Sequence, residues 1–232
     1  MVGLLLAVLA LLAFWHLAGE VAEGETRAFD RSVLLALRTP GDLAQPIGPH
    51  WLSEVARDIT ALGGNTVLTG VTLGVAFYLA LAGRRAGALL VLCSVGGGAA
   101  LSTALKLGFD RPRPDLVPHG VDVYLASFPS GHAMLSAVTY LTLGAILARV
   151  QPGWTLRLYV LALAALVSLL VGLSRVYLGV HWPTDVLGGW SAGAGWALLC
   201  WLVALWLEHA GWLRQDGRVE PSDPAPPDAS RP

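Results

Sequence analysis

Charge is what this 232-residue chain has least of. Asp, Glu, Lys and Arg make up 13% of it, against 55% hydrophobic residues. An ordinary soluble domain carries about 25% charged residues. Burial in a water-soluble core does not account for so large a deficit, so the solvent for much of the chain is read as lipid. The net charge of −1 gives no electrostatic footprint for a nucleic-acid partner. Lysine occurs once, at Lys106; every other basic residue is arginine. The two cysteines, Cys93 and Cys200, sit inside apolar stretches, so a disulfide framework is excluded and both read as small packing residues. Cys/His metal spacing, a glycine-rich nucleotide loop and a Gly-x-Ser-x-Gly elbow are all missing, and the chemistry expected is free of metal and cofactor.

What is present is apolar length. Stretches at roughly 1–19, 63–82, 86–107, 132–149, 155–173 and 186–207 each approach the ~20 residues that span a bilayer. The first lacks a basic residue ahead of its apolar run, so it reads as a retained helix rather than a secretory signal. The expected fold is all-α, a six-transmembrane-helix bundle forming one membrane domain over 1–213. The Pro-rich, charged residues 214–232 read as a disordered tail. Arg84, Arg85, Arg149, Arg157, Arg214 and Arg218 fall on one side of this layout, together with the N-terminus. The positive-inside rule makes that side cytoplasmic, so the 20–62, 108–131 and 174–185 loops face outward in a plasma or inner membrane. In the first outer loop, Phe29, Val33, Leu34 and Leu37, and again Trp51, Leu52, Val55, Ile59 and Leu62, recur at helical spacing. They read as interfacial amphipathic helices or as a capping structure without a substrate role.

Three segments in the other outer loops carry the chemistry. Ser130-Gly131-His132 precedes an apolar helix: Ser is a preferred N-cap, Gly admits close approach, and the free N–H groups with the dipole suit phosphate. His132, beside an anion held there, is placed to act as a general acid. In His181-Trp182-Pro183-Thr184-Asp185, Pro183 suits a first helical turn. Asp185 then reaches back to one ring nitrogen of His181 and leaves the other free to attack. Lys106, Arg113 and Arg175 stand at or beyond helix ends, where they would stabilise the spread charge of a transferring phosphoryl group. Arg111 and the adjacent Asp110 could simply pair with each other, and are placed behind the phosphate-binding residues rather than among them. Taken singly, each segment has a plain structural reading as a helix cap, a His–Asp bond or a snorkelling cation. All three on one face of the topology point to a site.

Together these segments resemble the type 2 phosphatidic acid phosphatase superfamily, the lipid phosphate phosphatases. Its signature has three parts, KxxxxxxRP, PSGH and SRxxxxxHxxxD, and all are present in order between Lys106 and Asp185. The resemblance implies that His181 is the nucleophile forming a phosphohistidine, that Asp185 orients it and that His132 protonates the leaving group. Lys106, Arg113, Ser130, Gly131 and Arg175 would bind the phosphoryl oxygens. The partner implied is a membrane lipid phosphate, such as phosphatidic acid, phosphatidylglycerol phosphate, undecaprenyl diphosphate or a lipid A-type phosphate. A lipid phosphotransferase would share the intermediate. A transporter is the reading from another class; it would place intramembrane polar groups on broken helices near the midplane, and the first five spanning stretches hold almost no ionisable residue apart from His16.

Overall fold

The structure, a computed structural model, describes residues 1–115 and 126–211; the expected tail at 214–232 lies outside the described residues. Their elements in chain order are α1 (Val2–Glu23), α2 (Arg27–Ala36), β1 (Arg38–Thr39), β2 (Asp42–Pro46), α3 (His50–Ala61), α4 (Asn65–Leu81), α5 (Arg85–Gly108), α6 (Gly131–Arg149), α7 (Trp154–Tyr177) and α8 (Pro183–His209). The helices α1, α5, α6, α7 and α8 are each long and apolar enough to cross a membrane. The sixth expected span is α4, which has 17 residues and joins α3 across a 44° bend.

The outer surface of the bundle is leucine. Leu5, Leu9 and Leu12 of α1 and Leu166, Leu170 and Leu173 of α7 point away from the other helices, as side chains solvated by acyl tails do. The centre is α6, which packs against α5, α7 and α8, while α1 lies along α8. Lipid supplies no hydrophobic drive between helices, so close packing of small residues holds them together. A Cβ added at Gly193 would come within 2.5 Å of the Met134 carbonyl oxygen, and one at Gly189 within 2.7 Å of that of Ser130. On α5, a Cβ at Gly97 would meet the Trp196 ring at 2.6 Å. Both helices run unbroken through these glycines, which mark contact rather than unwinding.

Several polar groups inside the bundle find each other, as a medium without water favours, while the Thr72 and Thr139 hydroxyls are buried without a hydrogen-bond partner among the described residues. The hydroxyls of Ser94 and Thr142 are 2.8 Å apart, Trp196 Nε1 donates to the Ser94 carbonyl at 2.8 Å, and Trp190 Nε1 to that of Ser168 at 3.0 Å.

The first outer loop holds the two expected helices and an unexpected antiparallel hairpin between them, Thr39 pairing Asp42 and Arg38 pairing Pro46. Its turn is Pro40-Gly41, with Gly41 at φ 89°, as a turn with Pro then Gly at its centre prefers. Buried Arg38 donates from Nη2 to the Tyr177 carbonyl at 2.6 Å, and the Tyr177 hydroxyl donates to the Ile47 carbonyl at 2.7 Å. The hairpin thus satisfies the carbonyl end of α7. Leu34 and Asp30 of α2 are buried, while Phe29, Trp51 and Val55 face outward. The loop is therefore both a cap on the bundle and an amphipathic surface.

Because the Met134 carbonyl cannot yield without breaking α6, Gly193→Val is expected to destabilise the protein by about 1–3 kcal/mol, the usual cost of overpacking. Thermal unfolding in detergent checks this; an unchanged midpoint would refute the close contact of α8 with α6.

Candidate active site

Two helix starts meet at the outer end of the bundle. Ser130 occupies the N-cap position of α6, and its N–H donates to the Asp185 carbonyl at 2.9 Å, joining the first turns of α6 and α8. The Ser130 hydroxyl does not cap: it is buried, with no hydrogen-bond partner among the described residues. The first-turn N–H groups of α6 are left without a side-chain cap, which suits them to an anion. A Cβ at Gly131 would sit 3.4 Å from Lys106 Nζ, an ordinary contact distance, so the ammonium group lies against the helix start.

A cavity of about 560 Å³ opens beside this junction. Lys106 from the last turn of α5, Arg113 from the following segment, Gly131 and His132 from α6, Arg175 from the last turn of α7, and His181 all line it. Residues far apart in sequence are thus brought to one wall. Ser130 and Asp185 are fully buried and are not part of the lining.

His181 is 1% exposed, and its two nitrogens have distinct surroundings. Nδ1 lies 3.3 Å from Asp185 Oδ2, and Nε2 lies 3.5 Å from Arg113 Nη1. Pro183 opens α8 and Asp185 sits in its first turn, accepting the Trp182 N–H at 2.9 Å. An ionised Asp185 accepts a proton on Nδ1, which fixes the tautomer and leaves the Nε2 lone pair on the cation side. Burial pushes the His181 imidazole down to about 4; Asp185 opposes that shift, and Arg113 and Arg175 add to it. The ring is therefore neutral at physiological pH, as a nucleophile must be.

Asp185 is held from every side. The Ser127 hydroxyl donates to Oδ2, and Arg111 Nη1 lies 2.5 Å from Oδ1. Of the two readings of Arg111, a simple pair with Asp110 or a place behind the phosphate-binding residues, the geometry matches the second: Arg111 turns inward to Asp185. The reason lies in Asp110-Arg111-Pro112-Arg113-Pro114. Each arginine precedes a proline, which forces it extended, and residues two apart on an extended segment share a face. Arg111 therefore grips Asp185 while Arg113 faces His181. That spacing was a readable signal; nothing in a single sequence singles out Ser127.

The cations themselves are tethered at one end. Arg113 Nη1 donates to the Val180 carbonyl at 3.1 Å, and Arg175 Nη1 to the Thr60 hydroxyl of α3 at 3.1 Å. Burial pushes Arg113 below its usual range, with Asp185 opposing that shift. The Nε atoms of both arginines are buried without a hydrogen-bond partner among the described residues. Buried donors of this kind call for an acceptor with several oxygens.

Comparison with known proteins gives the family. The sequence profile of the PAP2 superfamily matches residues 87–208. Phosphatidylglycerophosphatase B of Bacillus subtilis is 38% identical over 166 residues, covering 71% of this chain and 80% of that protein. An undecaprenyl-diphosphatase of Sulfolobus acidocaldarius is 40% identical over 68 residues, 29% of each chain. Among solved structures, a transmembrane PAP2-type phosphatidylglycerolphosphate phosphatase from Bacillus subtilis superposes with a TM-score of 0.77 at 32% identity, covering 87% of this chain and 96% of that one.

The cavity is expected to bind inorganic phosphate. Removing one charged donor should weaken that binding about 10- to 100-fold, the worth of a hydrogen bond to a charged group. Calorimetric titration of wild type and Arg175→Ala measures this, and equal affinities would mean that Arg175 does not contact the anion.

Proposed function

The chain belongs to the PAP2 superfamily, and we propose that it is a multi-pass membrane enzyme that removes phosphate from a lipid phosphate or diphosphate through a phosphohistidine on His181. The observation that carries this reading is the cavity, where His181 Nε2 faces Arg113 while Nδ1 faces Asp185. Lys106 and Arg175 line the same space.

The steps follow from the geometry. Phosphoryl oxygens take the guanidinium groups of Arg113 and Arg175, the Lys106 ammonium and the uncapped start of α6. The Nε2 lone pair of His181 forms a bond to phosphorus as the bond to the leaving oxygen breaks. Asp185 stabilises the charge that appears on the ring. His132 gives its proton to the leaving oxygen. Its neighbours in the cavity are cations, so the anion that holds this proton is the phosphate of the substrate. Water then attacks phosphorus, His132 takes the proton from it, and the P–N bond breaks to release phosphate. The groups used are all side chains or backbone of this chain.

The cavity supports an amphiphilic substrate. Besides the charged groups, its lining mixes Leu68, Val95, Ala99 and Leu135 with Asn65, Thr69, Ser102 and Thr103, so apolar surface for an alkyl chain lies beside polar surface for a headgroup. Phosphatidylglycerol phosphate is favoured over undecaprenyl diphosphate, because the relative named for the first is similar over 71% of this chain and the relative named for the second over 29%. The turn from α4 to α5, carrying Arg84 and Arg85, and the turn from α6 to α7, carrying Arg149 and Arg157, lie at the other end of the spans. By the positive-inside rule that end and the N-terminus are cytoplasmic, and the cavity opens toward the outer leaflet.

The test is phosphate release in EDTA from both lipids, with trapping of an acid-labile phosphoenzyme. His181→Ala is expected to lose both signals by several orders of magnitude; release that persisted in this variant would end the nucleophile assignment. The pH profile is a second prediction. Only neutral His181 attacks, so kcat/KM should fall as pH drops through about 4, not through the ordinary 6.5. In kcat, which reports the phosphate-bound state, an alkaline limb should follow loss of the donor proton, and a kcat still climbing at high pH would argue against His132 as the acid.

A further inference from the structure

Asp30 lies on α2, in the first outer loop, and is 1% exposed. Carboxylates are almost never buried so fully unless paired. Its Oδ1 accepts the Thr184 N–H at 2.9 Å, and its Oδ2 accepts the Thr184 hydroxyl at 2.7 Å. Oδ2 also lies 2.5 Å from Arg111 Nη2. The other terminal nitrogen of the same guanidinium, Nη1, is the one that reaches Asp185 Oδ1 at 2.5 Å, and it also donates to Thr184 Oγ1 at 2.8 Å. Thr26 accepts from Nη2 at 3.2 Å. One arginine therefore bridges two buried carboxylates, one from the outer loop and one from the start of α8. Neither Asp30 nor Arg111 lines the cavity that holds His181, so phosphate binding does not account for them.

We propose that Asp30 is a positioning residue for the reaction: through Arg111 it fixes the orientation of Asp185 and divides the guanidinium charge, setting how strongly Asp185 holds the His181 ring. The inference rests on His181 being the nucleophile. A guanidinium shared by two carboxylates neutralises each in part. Remove the charge of Asp30 and Asp185 faces the whole cation alone; its pull on the Nδ1 proton weakens, and the ring becomes a poorer nucleophile. Remove the cation and that pull strengthens. The two changes thus have opposite signs at His181, which a simple loss of packing would not produce.

The other charges facing His181 are Arg113 from the segment after α5, Arg175 from α7 and His132 from α6. Lys106 of α5 acts on Asp185 as well. On the far side, Arg27, Arg31, Asp110 and Asp115 line the pocket that Asp30 and Arg111 share. All of these stay in place when Asp30 or Arg111 is changed, so a displaced acid limb reports the bridge.

The experiment measures kcat, KM and the pH dependence of kcat/KM for wild type, Asp30→Asn, Arg111→Gln and Arg111→Lys, with thermal midpoints in detergent as the folding control. Asp30→Asn should lower kcat about tenfold or more with KM within about threefold, and move the acid limb down. Arg111→Gln should move the limb up. Arg111→Lys keeps a charge but has no planar fork to span two carboxylates, so it should lose kcat as Asp30→Asn does; it carries the test if Asp30→Asn does not fold. Limbs that stay put, or that move the same way in Asp30→Asn and Arg111→Gln, would overturn the inference. So would kcat losses that only track lowered midpoints. A wild type that forms no phosphoenzyme would instead overturn the functional reading; an active wild type with unmoved variants would overturn the positioning role alone.

Discussion

The contact on which the outer end of the molecule depends is the close approach of α8 to α6. At Gly189 and Gly193 α8 carries no side chain where it meets α6, and the Ser130 and Met134 carbonyls with the Ala133 and Ala137 methyl groups fill the space. The two first turns are then near enough for the Ser130 N–H to reach the Asp185 carbonyl. With that distance fixed, His132 and His181 line one cavity, though one lies in the first turn of α6 and the other in the loop between α7 and α8. Wider spacing, of the kind leucine contacts give, would separate the two imidazoles. Helix packing and catalysis are here one constraint.

The second constraint is charge. The site gathers Lys106, Arg113 and Arg175 around one cavity while Asp185 is their buried counter-charge. Bringing like charges together out of water is unfavourable, and buried ions are tolerated only when paired and hydrogen-bonded. The structure answers by tethering. Arg113 is tied to the Val180 carbonyl, Arg175 to Thr60, and Asp185 to Arg111, Ser127 and the Trp182 N–H. What remains is a set of donors aimed before any substrate arrives, including the two Nε atoms that lack partners among the described residues. Preorganised donors of this kind cost no reorganisation when negative charge develops on a phosphoryl group.

These two constraints also explain what was legible in the sequence. The spans were readable because a stretch that must satisfy its own backbone in lipid has to be helical, apolar and long. The motif residues were readable because each sits where a helix begins or ends, and the topology alone puts those ends together. Less legible was whatever depends on a side chain crossing between distant segments. Arg111 was placed behind the phosphate-binding residues, but its partner there, Asp185, is provided only by the folded chain. Asp30 looked like one more acid in an acidic loop until α2 packed against α8. Ser130 shows the opposite error: the residue type suited a cap, and the position is a cap, yet its hydroxyl makes no capping bond. The hairpin at Pro40-Gly41 had a clear turn signal that the helical periodicity on either side overshadowed.

The depth of the site follows from the same physics. Lys106 lies in the last turn of α5, Arg175 in the last turn of α7, His132 in the first turn of α6 and Asp185 in the first turn of α8. One helical turn is about 5.4 Å, and moving these groups one turn inward would carry them toward the hydrocarbon. A charge at the bilayer centre costs roughly 2.5–3.5 kcal/mol by insertion measurements, and several charges together would compound that cost. At the helix ends water and headgroups share the load, and the cations remain ionised. That level is also where the phosphate of a membrane lipid resides. An enzyme built from helix ends thus meets a lipid phosphate without drawing it out of the bilayer or the charges into it.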